Sequence, residues 1–447
     1  MGAKLYPAYK DSGVEWIGDI PEHWEVSAVK HVFTVVNGST PKSEVDAYWD
    51  GDIEWITPIE LGNCLSFLVQ HCKRKITHAG LASCGTKLVP IGSIILSTRA
   101  PIGLVGVADR PLCTNQGCKA LISTERALPS FFAFLLHSCT TELNHRGNGT
   151  TFIELSTRML RSMPLAFPPL QEQKQIAAFL DRETSKIDTL IGKQKQLINL
   201  LKEKRGSLIS HTVTKGLNPN VPMKDSGVEW IGEIPEHWEV KRVKNLLRES
   251  FGSVKCGPFG SDLKNDEMTS EGIPVFNQRV VIDNNFSDFQ YNITDAKFEA
   301  MRPFEAFPGD ILITTRGTIG KVCTIPNDAP RGILHPCVMR LQVDTSKVDC
   351  GWFVTFLRDE NVFKSQLLVM SNATTIEVIY QNNLVSVFVP FPPLQEQKQI
   401  SSFLDAETSK IDALIEKANQ SIALLKERRS SLISAAVTGK IDVRGVA

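Results

Sequence analysis

Several glycine-containing loops of this 447-residue chain carry arginine, asparagine, glutamine or lysine side chains. Arginine, asparagine and glutamine can each make paired hydrogen bonds to base edges, whereas cations, hydroxyls and backbone amides hold phosphates. The candidate DNA-binding residues are Arg99, Asn115, Gln116, Arg146, Lys264, Asn277, Arg279, Arg316, Lys321 and Asn372. A polar glycine loop is more often an ordinary turn, so the prediction rests on the set within each half of the chain rather than on any single loop.

Two of these arginines have the same local setting. Arg316 follows the apolar run 311–313 and precedes Gly317, and Arg99 follows the apolar run 94–96. This pattern predicts a strand that ends in a tight turn, where glycine lets a ligand approach the backbone. We expect both arginines to contact phosphate, because the two bodies share an arginine at this strand end although the sequences that they recognise should differ. The alternative, an ion pair with an acidic neighbour in the same fold, stays open.

Catalytic signatures are missing from the sequence. No phosphate-binding loop, dinucleotide fingerprint, HExxH or adenine-methylating [DNS]PP[YFW] motif occurs, and the run 317–321 is too short for a phosphate loop. His23 and His237 each precede a tryptophan in a repeated segment, and we interpret them as structural. The ten cysteines form no CxxC pair, which is typical of reduced thiols rather than a zinc site. We therefore expect no catalytic residue, no metal and no cofactor on this chain.

Composition is that of a globular protein, with 42% hydrophobic and 22% charged residues. The length predicts two or three folding units. A formal net charge of zero means that contacts to nucleic acid must come from local patches or from basic partners. The sequence shows no apolar signal region and no long apolar stretch, so we expect a cytoplasmic location.

The chain contains the same half twice. Residues 10–26 and 224–240 differ only at Asp19 and Glu233, and residues 168–216 match 392–440 at about 34 of 49 positions. The bodies between them, 27–167 and 241–391, share only scattered features. This pattern predicts a pseudo-two-fold molecule in which similar surfaces bind two copies of one partner and dissimilar bodies recognise two different ligands.

The predicted domains are 1–167, a helix in 168–219, 220–391, and a second helix in 392–447. Short β-branched runs broken by glycine and proline, with helices near 129–143 and 351–368, indicate bodies of mixed α/β (α+β) class. In the two helical segments, apolar residues recur with heptad spacing, which predicts long antiparallel coiled-coil helices that join the globular domains. The predicted helix-pairing residues are Ile187, Leu190, Leu197, Leu201, Ile411, Leu414 and Leu425. Packing of each helix on its own domain is the alternative.

The whole chain resembles the specificity (S) subunit of Type I restriction–modification systems. The resemblance rests on the duplicated SGVEWIGxIPEHWEV and FPPLQEQ segments and on three strings of the second body, residues 257–264, 315–321 and 334–337. Residues 98–103 and 114–117 are similar to two of these strings in the first body. Leu104 stands where the second half has Lys321, so one basic contact is expected to be missing from the first half.

This resemblance implies two target-recognition domains, each reading one half of a split, asymmetric DNA site, with the helices as a ruler for the spacer. It also implies two methyltransferase (M) subunits that use S-adenosylmethionine, and two restriction/translocase (R) subunits that use ATP and Mg. Two other classes of function remain open: a scaffold that pairs partner subunits without reading DNA, and an enzyme with an unrecognised site. A methylation-only system without a restriction subunit is a further possibility.

Overall fold

The computed structural model describes residues 4–62, 67–69, 72–147, 154–250, 252–259, 261–359, 362–371 and 378–445. The chain divides into two compact units, Met1–Gln194 with Asn419–Ala447, and Lys195–Ala418. Each unit holds one of the two bodies together with a segment of each long helix. The predicted mixed α/β class with two domains and two long helices is confirmed.

The first unit is built on two small sheets and two strand pairs in its described residues. The larger sheet has the strand order Phe33–Asn37, Cys118–Ser123, Ile94–Ser97, Val105–Ala108, Leu68–Val69. The smaller sheet has the order Leu112–Thr114, Trp49–Ile56, Lys75–Ile76, and the pairs are Tyr9–Asp11 with Asp19–Pro21 and Glu25–Ala28 with Pro164–Phe167. Its shorter helices are Val29–Val32, Asp46–Tyr48 (3-10), Pro58–Gly62, His78–Ala82, Pro129–Ser138, Thr140–His145 and Thr157–Arg161.

The described part of the second unit repeats this plan with two four-stranded sheets. Their strand orders are Val254–Cys256, Val338–Leu341, Ile311–Thr314, Val322–Thr324, and Asn292–Ile293, Ile273–Phe276, Gly332–Leu334, Glu305–Ala306. The strand pairs are Met223–Asp225 with Glu233–Pro235 and Glu239–Arg242 with Phe388–Phe391. The shorter helices are Val243–Leu246 (3-10), Asn265–Glu267 (3-10), Gln278–Asp283, Asp295–Met301, Arg302–Phe304 (3-10), Cys350–Arg358, Phe363–Ser371 and Gln381–Ser386. The predicted helices 129–143 and 351–368 are thus each broken into two.

The strand that positions the candidate site in each unit is covered on both faces. Ile94 and Leu96 face one apolar cluster of the first unit, while Ile95 faces another. In the second unit Ile311 and Leu312 face separate clusters in the same way. Alternate side chains of a strand point to opposite faces, so a fully apolar strand is anchored from both sides. The turn at its carboxyl end therefore starts from a rigid base.

A buried carboxylate at the start of the first long helix holds the repeated N-terminal segment. Glu172 accepts hydrogen bonds from Tyr6 Oη (2.5 Å) and Trp24 Nε1 (3.1 Å), and its other oxygen lies 2.7 Å from His23 Nε2. Burial, reinforced by the Glu172 carboxylate, raises the pKa of Tyr6. The repeated PEHWEV segment is thus a joint between body and helix.

The second unit contains the same joint without the tyrosine. Trp238 Nε1 donates to Glu396 (3.0 Å), and His237 Nε2 lies 2.9 Å from the same carboxylate oxygen. Both histidines are held by a helix carboxylate, which agrees with a structural role for them.

The long helices span Leu170–Lys215 and Leu394–Val437. The predicted pairing residues Ile187, Leu201 and Ile411 are buried, and Leu425 is half-buried. The remaining three predicted positions are wrong: Leu190 is 47% exposed, Leu197 44% and Leu414 50%.

The buried column of the first helix lies one residue later, at Ile191 and Ile198. Each of the exposed leucines is followed by an isoleucine, and in the second helix Ile415 is half-buried where Leu414 is not. Along this helix, apolar residues recur both at steps of three then four residues and at steps of four then three, so periodicity alone does not show which set pairs. In the structure, the set with steps of four then three is buried.

Within each unit, one ion pair joins the two helix segments at equivalent positions. In the first unit Arg429 Nε lies 3.1 Å from Asp188 Oδ1, and in the second Arg205 Nε lies 3.1 Å from Asp412 Oδ1. The early half of one helix therefore lies beside the late half of the other, which is the predicted antiparallel pairing. Among the described residues, every helix is too short or too polar to span a lipid bilayer.

Candidate nucleic-acid interface

In the first unit, the predicted turn follows the strand Ile94–Ser97. Ser97 Oγ donates to the carbonyl of Pro101 (2.7 Å) and accepts from the amide of Leu104 (2.8 Å). The Gly103 amide donates to the Ser97 carbonyl (3.1 Å). These three hydrogen bonds close a compact loop that presents Arg99.

The second unit builds the same loop after the strand Ile311–Thr314. Thr314 Oγ1 donates to the carbonyl of Thr318 (2.6 Å) and accepts from the amide of Lys321 (2.9 Å), while the Gly320 amide donates to the Thr314 carbonyl (2.9 Å). Arg316 therefore occupies the position of Arg99. Lys321 occupies the position of Leu104, in agreement with the equivalence drawn from the sequence.

A second loop approaches this strand end so closely that only glycine fits. A Cβ atom on Gly38 would lie 1.9 Å from the carbonyl oxygen of Asn115, and one on Gly257 would lie 2.0 Å from that of His335. Any side chain would have to displace the backbone. Gly38 and Gly257 are thus equivalent, and so are Asn115 and His335.

The side chains of Asn115 and His335 stabilise their own turns. Asn115 Oδ1 accepts from the amide of Gly117 (2.9 Å), and His335 Nδ1 accepts from the amide of Cys337 (3.2 Å). Burial lowers the pKa of His335, which favours the neutral ring that this bond requires. Asn115 is half-buried, and one of the two polar atoms of its side-chain amide, Oδ1, is committed to the fold.

The two equivalent arginines differ in their surroundings. Arg99 forms an ion pair with Glu154 (3.1 Å), and the buried Lys119 lies 3.9 Å from the same carboxylate. Burial lowers the pKa of Lys119. The backbone of Arg99 forms an isolated β-bridge with Glu154, whereas in the second unit that of Arg316 forms one with Val378. Arg316 has no ion-pair partner among the described residues. The alternative of an acidic neighbour thus describes Arg99, while Arg316 is the more available cation.

The structure assigns Asn277 a role in the fold, which contradicts its prediction as a DNA contact. It is the N-cap of the helix Gln278–Asp283, and its Oδ1 accepts from the amide of Val280 (3.2 Å). Its Nδ2 donates to Gln290 (3.3 Å), and the residue is only 6% exposed. Asparagine is a preferred N-cap residue because its side chain satisfies a free amide of the first turn.

Two predicted arginines are held by carboxylates. Arg146 Nε lies 2.6 Å from Glu142, one helical turn before it, and their side chains are 21% and 17% exposed. Arg279 pairs with Asp288 (2.8 Å) and Asp283 (3.5 Å). Sequence spacing alone did not separate these cations from free ones, and Arg146 in particular is mostly covered.

The other predicted residues remain accessible or lie outside the description. Lys264, Lys321 and Gln116 are exposed, and Gln116 accepts a hydrogen bond from Thr40. Asn372 lies outside the described residues. These positions stay predictions.

The sequence-based set omitted Gln278, which lies beside the Arg316 turn. A Cβ on Gly317 would be 3.2 Å from its amide group. Its Nε2 atom is buried and has no hydrogen-bond partner in the described part of the chain. Gln278 sits between two predicted residues, and once Asn277 is recognised as an N-cap, Gln278 becomes the side chain of this loop nearest the turn. The described residues contain no cluster of three His, Cys, Asp or Glu that could hold a metal ion.

A family model described as the Type I restriction modification DNA specificity domain matches residues 21–200 and 235–424. The two matches cover the two halves of the chain in turn.

Among curated relatives, the Type I restriction enzyme MjaIX specificity subunit of Methanocaldococcus jannaschii is 34% identical over 242 residues. That alignment covers 53% of this chain and 54% of the relative, so it spans about half of each. The putative Type I restriction enzyme MjaX specificity subunit of the same organism is 29% identical and covers 96% of both chains.

Two solved structures share the fold. A chain from a study of complex assembly and conformational transition of the type I R-M system has a TM-score of 0.73 at 16% identity, covering 94% of this chain and 98% of that one. The HsdS subunit from Thermoanaerobacter tengcongensis has a TM-score of 0.54 at 16% identity, with the same coverage.

Proposed function

We propose, from the premise that this chain belongs to the Type I restriction modification DNA specificity family, that it reads a bipartite, asymmetric DNA site with one half-site for each unit. The chain is a DNA sequence-specificity subunit of a Type I restriction–modification system and is a non-catalytic subunit.

One observation gives the main support for assigning one half-site to each unit. The strand-end loops of the two units share a hydrogen-bond frame, in which Ser97 corresponds to Thr314 and Gly38 to Gly257. The side chains that this frame presents differ between the units. A common frame with different side chains is suited to holding phosphates in one geometry while distinguishing two base sequences.

The subunit acts with methyltransferase subunits, restriction subunits and DNA. We propose two copies of each protein partner, because the joint at Glu172 recurs at Glu396 and so offers two similar surfaces. S-adenosylmethionine, ATP and Mg would then bind to those partners and none to this chain. A cytoplasmic location follows from the same proposal.

An exchange of one body tests the proposal. Residues 241–391 would be replaced by the matching segment of a relative with a different target, and methylated adenines mapped in cells. We expect one half of the methylated motif to change while the other half and the spacer length stay the same. Exchange of residues 27–167 is the matched control, and should alter the opposite half. A change in both halves, or in neither, would contradict the assignment of one half-site to each unit.

The scaffold alternative predicts a different result in vitro. Fluorescence anisotropy with the assembled methylase would then show equal affinity for all duplex sequences.

A further inference from the structure

The second unit contains an open, cation-lined cleft beside the Arg316 turn. Its volume is about 1060 Å³, and it lies between residues 202–215 of the first long helix and residues 320–322, 358–359 and 362–364 of the body. Two acidic side chains, Glu203 and Asp359, also line it. The cationic side chains are Lys202, Arg205, Lys215, Lys321, Arg358 and Lys364. Cations outnumber acids six to two, so the cleft attracts anions.

Several of these cations are not neutralised within the fold. Lys202 and Lys321 are exposed and have no ion-pair partner among the residues that the structure describes. Arg358 donates from Nε and Nη2 to the carbonyl of Val322 (3.1 and 2.7 Å). Because a carbonyl is neutral, this contact does not neutralise the positive charge of Arg358. The charges of Lys202, Lys321 and Arg358 are therefore available to a ligand, whereas Arg205 pairs with Asp412.

The corresponding place in the first unit lacks three of these cations. The shared loop hydrogen bonds put Leu104 where the second unit has Lys321. A Cβ on Gly103 would meet Thr140, whereas one on the equivalent Gly320 would meet Lys364 at 3.7 Å. Thr140 thus takes the place of Lys364.

The third difference is a histidine. His137 lies nine residues after the N-cap Leu128 of its helix, as Arg358 lies nine residues after the N-cap Asp349. Burial lowers the pKa of His137, which favours its neutral form at pH 7. At these three equivalent positions the second unit therefore carries three positive charges that the first unit lacks.

We propose that this cleft of the second unit binds phosphate groups of the DNA backbone beside the half-site that the unit reads, and that the first unit makes no equivalent contact. This inference rests on the proposed DNA-reading function. The cleft adds a sequence-independent contact to the DNA backbone on one side of the DNA site only.

The chemistry of the cleft favours a backbone over a small phosphorylated ligand. Sites for small molecules are mostly apolar, with few polar groups, and rarely exceed about 1,000 Å³. This cleft is open and carries six cations. It is also continuous with the candidate DNA-binding turn, because Gly320 and Lys321 belong to both. A strand held at Arg316 can extend into it without leaving the protein surface.

Replacing cleft cations by the residues of the first unit tests the proposal. The Lys321→Leu/Lys364→Thr variant would be assembled with the methyltransferase subunits, and its affinity for duplexes measured by fluorescence anisotropy over a series of salt concentrations. We expect weaker binding to cognate and non-cognate duplexes alike, and a slope of log K against log salt that is shallower by about one for Lys321 and by up to about one more for Lys364. The preference for the cognate duplex should be unchanged.

Two variants serve as controls. Lys204→Ala removes an exposed charge from the same helix segment but outside the cleft, and should leave the slope unchanged. Leu104→Lys adds the missing charge to the first unit, and should steepen the slope by about one. A double variant with a wild-type slope and an intact melting temperature would overturn the inference.

Hydroxyl-radical footprinting locates the contact. The wild-type complex should protect more backbone positions beside the half-site of the second unit, and the double variant should lose that extra protection. Symmetric protection in the wild type would contradict the inference.

Calorimetric titration with inorganic pyrophosphate identifies the source of the phosphate. Binding that is abolished in the double variant, together with an unchanged footprint, would assign the cleft to a free phosphorylated ligand and overturn the DNA assignment. If the wild type showed no preference among duplexes, the proposed function would fail separately, whatever the slopes.

Discussion

Leu190 and Ile191 are neighbours in the first long helix, yet Leu190 is 47% exposed while Ile191 is 9% exposed. The buried isoleucine lies on the seam with the second helix, near the ion pair between Asp188 and Arg429. The exposed leucine lies outside that seam. This difference between adjacent apolar residues defines which face of the helix pairs.

Ile191→Asp should destabilise the isolated chain, because a carboxylate buried on the seam has no partner there. We expect a loss of about 2–4 kcal/mol in the free energy of unfolding, measured by urea denaturation. Leu190→Asp places the same charge one residue earlier on the exposed face, and should change the stability by less than about 0.5 kcal/mol. Equal losses from the two variants would contradict the seam seen in the structure.

The two joints should contribute unequally to stability. Glu172 is 5% exposed and is contacted by three side chains, whereas the Glu396 side chain is 24% exposed and is contacted by two. Glu172→Ala leaves the hydroxyl of Tyr6 and the indole N–H of Trp24 buried without an acceptor, and each costs about 1–3 kcal/mol. Glu396→Ala should therefore lower the melting temperature less than Glu172→Ala. If Glu396→Ala lowered the melting temperature more than Glu172→Ala, the hydrogen bond from Tyr6 to Glu172 would add no stability to the first joint.

The repeated frame could be predicted from sequence because it depends on local patterns. An apolar run followed by a polar turn identified the strand ends at Arg99 and Arg316, and near-identical segments identified the joints. The ion pair of Arg99 could not be predicted, because its partner Glu154 is 55 residues away in the chain. The capping role of Asn277 was missed for another reason: a base-reading loop and a helix N-cap use the same residue type, and only backbone geometry separates them.

Arg316→Ala and Arg99→Ala should affect DNA binding to different extents. Arg316 has no acidic partner among the described residues, so its loss should weaken the assembled methylase on all duplexes and reduce the salt slope by about one. Arg99 is already paired with Glu154, so its phosphate contact requires partial loss of that ion pair, and a smaller change in slope is expected. Anisotropy titrations at several salt concentrations measure both. If Arg316→Ala weakened binding only at one base pair of the target, Arg316 would be a base reader rather than a phosphate contact.

The turn at His335 in the second unit should be sensitive to acid, whereas the equivalent turn at Asn115 in the first unit should not. His335 Nδ1 accepts from the Cys337 amide only when the ring is neutral, whereas the equivalent acceptor in the first unit, Asn115, does not titrate. Burial lowers the pKa of His335 below its ordinary value of 6.5 in the folded state. The unfolded chain therefore binds more protons than the folded chain just below pH 6.5, and stability falls as the pH falls through that range.

His335→Asn should preserve the hydrogen bond to Cys337, as Asn115 does for Gly117, and should remove this part of the pH dependence. Each unit of pKa difference corresponds to about 1.4 kcal/mol, so urea denaturation between about pH 5 and 7.5 can measure the change. Burial also lowers the pKa of His137, so some acid sensitivity should persist in the variant. The reciprocal Asn115→His substitution should add acid sensitivity to the first unit beyond that of His137. A wild-type pH profile for His335→Asn would show that the ring does not need to be neutral to hold the turn, and that the acid response arises elsewhere in the chain.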